Sequence, residues 1–198
     1  MFTQPLRGGA ALTPLHPWQA DAYLAALDAD REHLAAAVPV ARCVHTVDDA
    51  RRYLQRWAQE EAADTGRLLG IWQDDRLVGS VQIAAFDILR RSCELGVWIC
   101  RSAQGRGLVT EACRHVLQWA FDVRGLQRVQ WTTSTGNARS IAVARRLGMT
   151  REGVLRSAGV LAAPALDYVE PDVRWDAEVW SLLAREWAMQ VSPLARHS

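Results

Sequence analysis

The 198-residue sequence predicts a mixed α/β domain in which helices flank a sheet. Ala-rich stretches with helical spacing of apolar residues dominate the first third of the chain. The pattern then changes to short runs that are apolar, or that alternate between apolar and polar residues, as strands do. The last part alternates helical and strand patterns. Because 49% of the residues are hydrophobic and 23% are charged, a folded core is expected rather than disorder.

The N-terminal part of the chain predicts one strand and two helices. Residues 10–15 form the strand, and residues 17–37 and 46–62 follow the helical pattern. Thr46 is placed to cap the second helix. Asp48 and Asp49 follow in its first turn, where they suit the positive end of the helix dipole.

Three strands are predicted in the middle of the chain, at residues 68–72, 77–86 and 93–100. The four residues 73–76 between the first two strands are polar and few enough for a hairpin turn. This part of the sheet is therefore expected to be antiparallel.

Strand and helix alternate after that. A helical pattern begins at Val109 and ends at Gly125, residues 128–134 predict a strand, and residues 137–147 predict a helix. A hairpin joins antiparallel strands, whereas strands separated by a helix can be parallel. Because the chain contains both arrangements, a mixed sheet is predicted rather than a purely antiparallel one.

The last strands are predicted at residues 154–155 and 178–183. Between them, residues 157–175 contain Pro164 and Pro171 and predict a long loop. We expect a single domain over residues 1–198, with its core at about 10–187 and a peripheral tail at 188–198.

Charge and cysteine content argue against several classes of protein. The net charge is +1 with no concentrated basic run, so nucleic-acid binding is not expected. No signal sequence or membrane-spanning apolar run is seen, which predicts a cytoplasmic protein without membrane attachment. Four cysteines show no C-x-x-C pair and no metal-ligand spacing to His, so buried thiols and no metal are expected: Cys43, Cys93, Cys100 and Cys113.

A glycine-rich turn joins the strand at 93–100 to the next helix. Gly105 and Gly107 carry no side chain where main-chain N–H groups at a helix N-terminus would meet an anion. Arg106 adds a positive charge, so a cofactor with a diphosphate group suits this turn. Taken alone, the turn is equally compatible with a tight connection that binds nothing. Thr110 replaces the third glycine of a dinucleotide-binding motif, and no P-loop ending is present.

The same turn resembles a family signature. Residues 104–109, Gln-Gly-Arg-Gly-Leu-Val, are similar to the acetyl-CoA signature Q/R-x-x-G-x-G/A of the Gcn5-related N-acetyltransferases (GNAT), with Val109 departing at the last position. Residues 110–112, Thr-Glu-Ala, continue as in the RimJ/RimL-type ribosomal-protein acetyltransferases. Residues 137–153 resemble the second signature of that branch, N-x-x-S-x-x-V/L-x-x-K/R-L-G-F/M-x-x-E-G. The resemblance covers about residues 10–187.

The resemblance implies a fold, an activity and a cosubstrate. The fold is a mostly antiparallel, twisted sheet of about seven strands flanked by helices and splayed at the acetyl-CoA site. The activity is direct transfer of an acetyl group from acetyl-CoA to an amine. The implied cofactor contacts are Val97, Trp98, Cys100, Gln104, Gly105, Arg106, Gly107, Leu108, Val109, Thr110, Asn137 and Ser140, with Val97 and Trp98 near the carbonyl.

Glu94 is the candidate general base: it lies on the strand that leads to the cofactor turn, where the resemblance implies a glutamate that deprotonates the amine. Such a base would act on the amine through water, which suits an α-amine, with a pKa near ~8, better than a lysine amine near ~10.4. The alternative is a solvated acid that pairs with Arg90 or Arg91.

Ser140 is the candidate donor to the leaving thiolate. The resemblance implies a tyrosine in this role at the position of Ala144, so the role passes to Ser140 or to no residue. Asn137 either contacts pantetheine or caps its own helix. Glu111 and Glu152 are expected to be structural.

Three functions remain open from the sequence. The acceptor is either a protein N-terminal α-amine or a small-molecule amine, such as an aminoacyl compound or an amine antibiotic. The alternative is a catalytically silent module that only binds acetyl-CoA. A monomer or a homodimer is expected.

Overall fold

The computed structural model describes residues 3–163 and 166–192. Within these ranges one eight-stranded sheet has the order β1-β2-β3-β4-β5-β6-β8-β7, and only the β5–β6 pair is parallel. The strands are β1 (Gln4–Pro5), β2 (Ala11–Pro14), β3 (Arg67–Gln73), β4 (Arg76–Asp87), β5 (Ser92–Ile99), β6 (Arg128–Ser134), β7 (Thr150–Ala163) and β8 (Tyr168–Leu183). The helices are α1 (Ala20–Asp28), α2 (Arg31–Leu34), α3 (Val40–Cys43), α4 (Val47–Ala62), α5 (Leu108–Gln118), α6 (Ala138–Arg146) and α7 (Ala184–Val191).

Local sequence explains several element boundaries. The β3–β4 turn places Asp74 at φ 48° and Asp75 at φ 58°, the left-handed conformation that a two-residue hairpin requires and that Asp tolerates. Helix α4 begins with the predicted cap: the Thr46 hydroxyl accepts from the Asp49 N–H at 3.1 Å, and the Asp49 carboxylate accepts from the Thr46 N–H at 2.9 Å.

The prediction of a long loop at residues 157–175 is wrong. Strands β7 and β8 extend through most of this segment as one long hairpin, with register shifts between Leu155 and Gly159. These irregularities interrupt the apolar alternation that would have indicated strands. Pro171 lies within β8, and Pro164 lies outside the described residues. The short β1, which was not predicted, is the extra strand in a sheet predicted to have about seven.

The sheet separates two clusters of buried side chains. Helices α5 and α6 pack on one face, and helices α1, α3 and α4 pack on the other. Strand β5 contributes to both: Cys93 and Leu95 belong to the α5–α6 face, whereas Trp98 belongs to the α1–α4 face, as does Cys100 directly after the strand. No helix in the described part of the chain is long and apolar enough to cross a membrane.

Candidate active site

The parallel strands β5 and β6 separate partway along their length. They pair from Ser92 opposite Arg128 to Leu95 opposite Trp131. Beyond that point, as far as the described residues go, residues 96–99 pair only with β4, and residues 132–134 pair only with β8. The sheet is therefore splayed, and the main-chain groups that face the gap have no partner strand.

The hydrogen-bond pattern shows which groups face this gap. The Cys100 N–H donates to the Val78 carbonyl at 2.8 Å, and antiparallel bonding alternates along a strand, so the Trp98 N–H also points toward β4. The main-chain groups of Val97 and Ile99 therefore point into the gap. Of the main-chain contacts that the sequence predicted, Val97 lies at the gap, while Trp98 and Cys100 are turned toward β4.

The N-terminus of α5 lies directly after this strand. Gly107 precedes the helix at φ 78°, and Gly105 at φ 75° has open space where a Cβ would stand. The first helical bond runs from Glu111 to the Gly107 carbonyl at 3.1 Å. Among the residues that the structure describes, the N–H groups of residues 108–110 have no main-chain partner. The helix dipole adds positive potential there. This end of α5 suits an anion.

Side chains at both ends of the turn hold it in place. The Gln104 amide nitrogen lies 2.9 Å from His33 Nε2 and donates to the Ile99 carbonyl at 3.5 Å. Arg106 donates to the side chain of Gln73, the last residue of β3, at 3.2 Å. These hydrogen bonds connect the turn to β5 and to the β3–β4 hairpin. They also keep the guanidinium of Arg106 close to the main chain of the turn.

Arg7 supplies a second positive charge that sequence reasoning missed. Its main-chain N–H and its Nε both donate to Glu111 Oε2, at 2.9 and 3.0 Å. A guanidinium nitrogen of Arg7 lies 2.9 Å from the position of a Cβ on Gly107. Partial burial raises the pKa of Glu111, but the hydrogen bonds and charge of Arg7 outweigh that effect and hold the pKa below its usual value. The donors and charges around the turn fit a diphosphate group.

Ser140 and Asn137 lie at the start of α6. The Asn137 side chain accepts from the Ser140 N–H at 3.1 Å, so Asn137 caps its own helix, one of the two predicted alternatives. The Ser140 hydroxyl accepts from the indole N–H of Trp131 at 2.9 Å. Because Trp131 occupies the last paired position of β6, this contact places Ser140 beside the splay. Ala144 is fully buried further along the helix.

Glu94 lies on the opposite face of the sheet from Ser140. Its neighbours Cys93 and Leu95 belong to the α5–α6 cluster, so alternation along β5 directs the half-buried Glu94 toward the α1–α4 side. One step further along this face is Gly96, where the amide of Gln82 on β4 occupies the space of a missing Cβ. The two sides of the splay therefore carry a hydroxyl and a carboxylate, respectively.

Arg90 and Arg91, with which Glu94 would pair if it were only a solvated acid, have other partners. Arg90 pairs with Asp87 at 2.8 Å, and Arg91 donates to the Gly125 carbonyl at 2.9 Å through its Nε. Across residues 3–163 and 166–192, no hydrogen bond or ion pair engages the Glu94 carboxylate. Its acceptor capacity is free for a ligand.

A polar network adjoins Glu94 on the same face. Gln130, the register partner of Glu94, accepts from Arg128 at 3.2 Å and donates to Thr132 at 3.4 Å. Arg128 holds Glu152 through two hydrogen bonds of 2.5 and 2.6 Å, and Ser181 donates to Glu152 at 2.7 Å. The hydrogen bonds from Arg128 lower the pKa of Glu152 to about 2 against the effect of burial. Glu152 is thus engaged in structure, as predicted.

Together these features define a class of enzyme. A splayed sheet that ends at an anion-binding helix, with a hydroxyl on one face and an unpartnered carboxylate on the other, is suited to acyl transfer from a phosphate-bearing donor.

The chain belongs to the acetyltransferase (GNAT) domain family, whose model matches residues 11–150. This confirms the family, the fold and the enzyme class that the sequence predicted, and acetyl-CoA is the cosubstrate. Within the described residues, no group of three or more His, Cys, Asp or Glu side chains could hold a metal ion.

Individual relatives extend the comparison. The chain is 29% identical over 188 residues to "Putative ribosomal N-acetyltransferase YdaF" of Bacillus subtilis (strain 168), which covers 94% of this chain and 98% of that protein. It is 25% identical over 129 residues to "Spermidine N(1)-acetyltransferase" of Escherichia coli (strain K12), covering 58% and 69% of the two chains. The solved structure of RimL, the ribosomal L7/L12 α-N-protein acetyltransferase in complex with coenzyme A, has a TM-score of 0.81 at 17% identity and covers 93% of this chain and 99% of that one.

Proposed function

We propose that this enzyme transfers the acetyl group of acetyl-CoA directly to a primary amine, and that the acceptor is a protein N-terminal α-amine or a small-molecule amine. The observation that carries the proposal is the pair of groups on opposite sides of the splay: the unpartnered Glu94 carboxylate on one face and the Ser140 hydroxyl on the other. A module that only binds acetyl-CoA has no need of this arrangement. A single domain over residues 1–198, monomeric or homodimeric and cytoplasmic, remains our expectation.

The donor would bind through the main chain. The N–H groups of residues 108–110 and the charges of Arg106 and Arg7 would bind the diphosphate. Val97 and Ile99 would offer their main-chain groups to pantetheine and to the thioester carbonyl in the gap. Polarising that carbonyl stabilises the negative charge that develops on its oxygen during attack.

Glu94 would take a proton from the acceptor. An ammonium group must lose a proton before its lone pair can form the new C–N bond, and Glu94 would accept this proton, directly or through one water. As the C–N bond forms, the C–S bond breaks and its electron pair moves to sulfur, and the nitrogen gives up its second proton to water as the amide forms. Ser140 would then donate a proton to the thiolate, and its oxygen would regain one from solvent.

This chemistry predicts that the less basic of the two classes of amine is the better acceptor. A carboxylate is a weak base, so it removes a proton more readily from an α-amine, with a pKa near ~8, than from a lysine-type amine near ~10.4. The similarity to YdaF supports a ribosomal-protein acceptor, and the similarity to spermidine N(1)-acetyltransferase supports a small amine. We favour the α-amine on the grounds of basicity.

Two measurements test the proposal. Calorimetry with acetyl-CoA should show binding, and thiol release should appear when peptides with a free N-terminus, aminoacyl nucleotides or polyamines are added. The expected result is release that depends on one of these classes. Binding without release for any of them would favour the silent module, and absence of binding would overturn the acetyl-CoA site itself.

A further inference from the structure

We infer that Trp131 is a positioning residue, whose indole N–H fixes the Ser140 hydroxyl so that the hydroxyl proton is directed toward the leaving sulfur. This inference rests on the proposed function and adds a residue to it. Trp131 is not part of either family signature identified in the sequence, and its role comes from the tertiary contact alone.

The position of Trp131 supports this role. It is the last residue of β6 that pairs with β5, so it lies at the point where the two strands separate. Its side chain is 2% exposed and packs within the α5–α6 cluster, on the same face of the sheet as Ser140. A buried indole at this place is held rigidly by its surroundings and provides a fixed N–H donor.

The chemistry of the contact decides where the hydroxyl proton points. An indole nitrogen only donates, so the 2.9 Å contact must use a lone pair of Ser140 Oγ. The hydroxyl proton of Ser140 therefore makes no hydrogen bond to Trp131, and it points away from the indole ring. Across the described parts of the chain, 3–163 and 166–192, Ser140 Oγ has no other hydrogen-bond partner.

The main chain of Ser140 is held as well. Its N–H donates to the Asn137 side chain at 3.1 Å, which fixes the first turn of α6. The amide and the hydroxyl of the same residue are thus both restrained, one by the helix cap and one by Trp131. A hydroxyl that accepts a hydrogen bond is also a better donor, because the accepted bond polarises its O–H. Both effects favour proton donation to a thiolate.

A structural role for Trp131 must be separated from a positioning role. Trp187 on α7 provides the matched control: it is 7% exposed and its indole donates to Asp122 at 3.0 Å, within the same apolar cluster. Trp187→Phe and Trp131→Phe therefore remove the same N–H group and a similar amount of buried surface. Only the second removes a contact to Ser140.

The experiment is a double-mutant cycle on turnover. Trp131→Phe, Ser140→Ala, the double variant and Trp187→Phe are compared with the unchanged enzyme, using the acceptor from the peptide, aminoacyl-nucleotide and polyamine panel that supports the fastest thiol release. For each variant kcat, the KM for acetyl-CoA, the calorimetric affinity for acetyl-CoA and the unfolding midpoint are measured.

The expected result is a kcat about 10-fold lower for Trp131→Phe, a part of the ~100-fold or more that a general acid provides, with KM and affinity nearly unchanged. In the Ser140→Ala background the same substitution should have little further effect on kcat. Trp187→Phe should lower the unfolding midpoint to a similar degree as Trp131→Phe without lowering kcat.

Three outcomes would overturn the inference: full turnover in Trp131→Phe, full turnover in Ser140→Ala, or equal losses of kcat from Trp131→Phe with and without Ser140. If Trp131→Phe fails to fold while Trp187→Phe folds, the contact is structural and the inference also fails. Failure of the unchanged enzyme to bind acetyl-CoA or release thiol would instead overturn the proposed function.

Discussion

The two faces of the sheet at the splay differ in how their functional groups are built. On the α5–α6 face, the donors are main-chain N–H groups at a helix end, and Ser140 is held by contacts to Trp131 and Asn137. On the α1–α4 face, Glu94 has no partner within the described residues, and beside it runs the side-chain network centred on Arg128.

This difference corresponds to two requirements of the reaction: binding of the acetyl-CoA donor, which never changes, and recognition of the acceptor amine, which differs between enzymes. A diphosphate and a thioester are the same for every acceptor, and main-chain donors in a fixed turn serve them well. An acceptor amine is recognised by side chains, which can change without disturbing the sheet. The α5–α6 face carries the segments that resemble the family signatures, and under the proposed function the acceptor would be recognised on the α1–α4 face.

The largest expected effect comes from the α1–α4 face. Glu94→Gln keeps the shape of the side chain but removes the base, so kcat should fall by about 100-fold or more. Calorimetric affinity for acetyl-CoA should stay the same, because Glu94 faces away from the donor side.

Glu61→Gln, on the exposed end of α4, is the matched control and should retain full turnover. Turnover of Glu94→Gln equal to that of the unchanged enzyme across pH would remove Glu94 from the mechanism.

A smaller effect is expected from the α5–α6 face. Gly107→Ala places a Cβ at φ 78° and 2.9 Å from the Arg7 guanidinium, which strains the turn by about 1–2 kcal/mol. Because the strain distorts the donors at the end of α5, the affinity for acetyl-CoA should fall by about 10-fold, as titration calorimetry would measure.

Gly153→Ala is the control, since Gly153 has open space around it and no positive φ. An unchanged acetyl-CoA affinity in Gly107→Ala would show that this turn does not bind the diphosphate.

The smallest effect is expected on the stability of the folded protein, from the polar network on the α1–α4 face. Glu152→Gln removes the carboxylate held by Arg128 and should lower the free energy of unfolding at pH 7 by about 0.5–1 kcal/mol, since both side chains are partly exposed and solvent screens the pair. The pKa of Glu152 is lowered to about 2 from the usual 4.5, so the stabilisation is present above pH 4.5 and is lost as the pH falls toward 2.

Denaturant unfolding between pH 2 and 7 would measure how the stabilisation by Glu152 depends on pH. The curves of Glu152→Gln and the unchanged protein should converge at the acidic end. A constant difference over the whole range would assign the effect to packing rather than to charge.

Most of the fold could be predicted from local patterns. The β3–β4 hairpin depends on two Asp residues in a short turn, the start of α4 depends on Thr46 and Asp49, and strand β6 follows a clear apolar alternation. The β7–β8 hairpin could not be predicted, because its bulges shift the alternation and its proline favoured a loop. A register shift is decided by the partner strand, which the local sequence does not contain.

By itself, the sequence determined the cofactor turn, because residues 104–110 are contiguous and their conformation depends on two glycines and a helix end. The resemblance to the family also named Glu94 and Ser140 as the candidate pair, which stays a prediction. Only the tertiary structure decided what these groups contact. Trp131 lies nine residues from Ser140, Glu152 lies 24 residues from Arg128, and Arg7 lies 104 residues from Glu111. Such contacts depend on how the sheet and helices pack, because they join elements whose local patterns carry no information about one another.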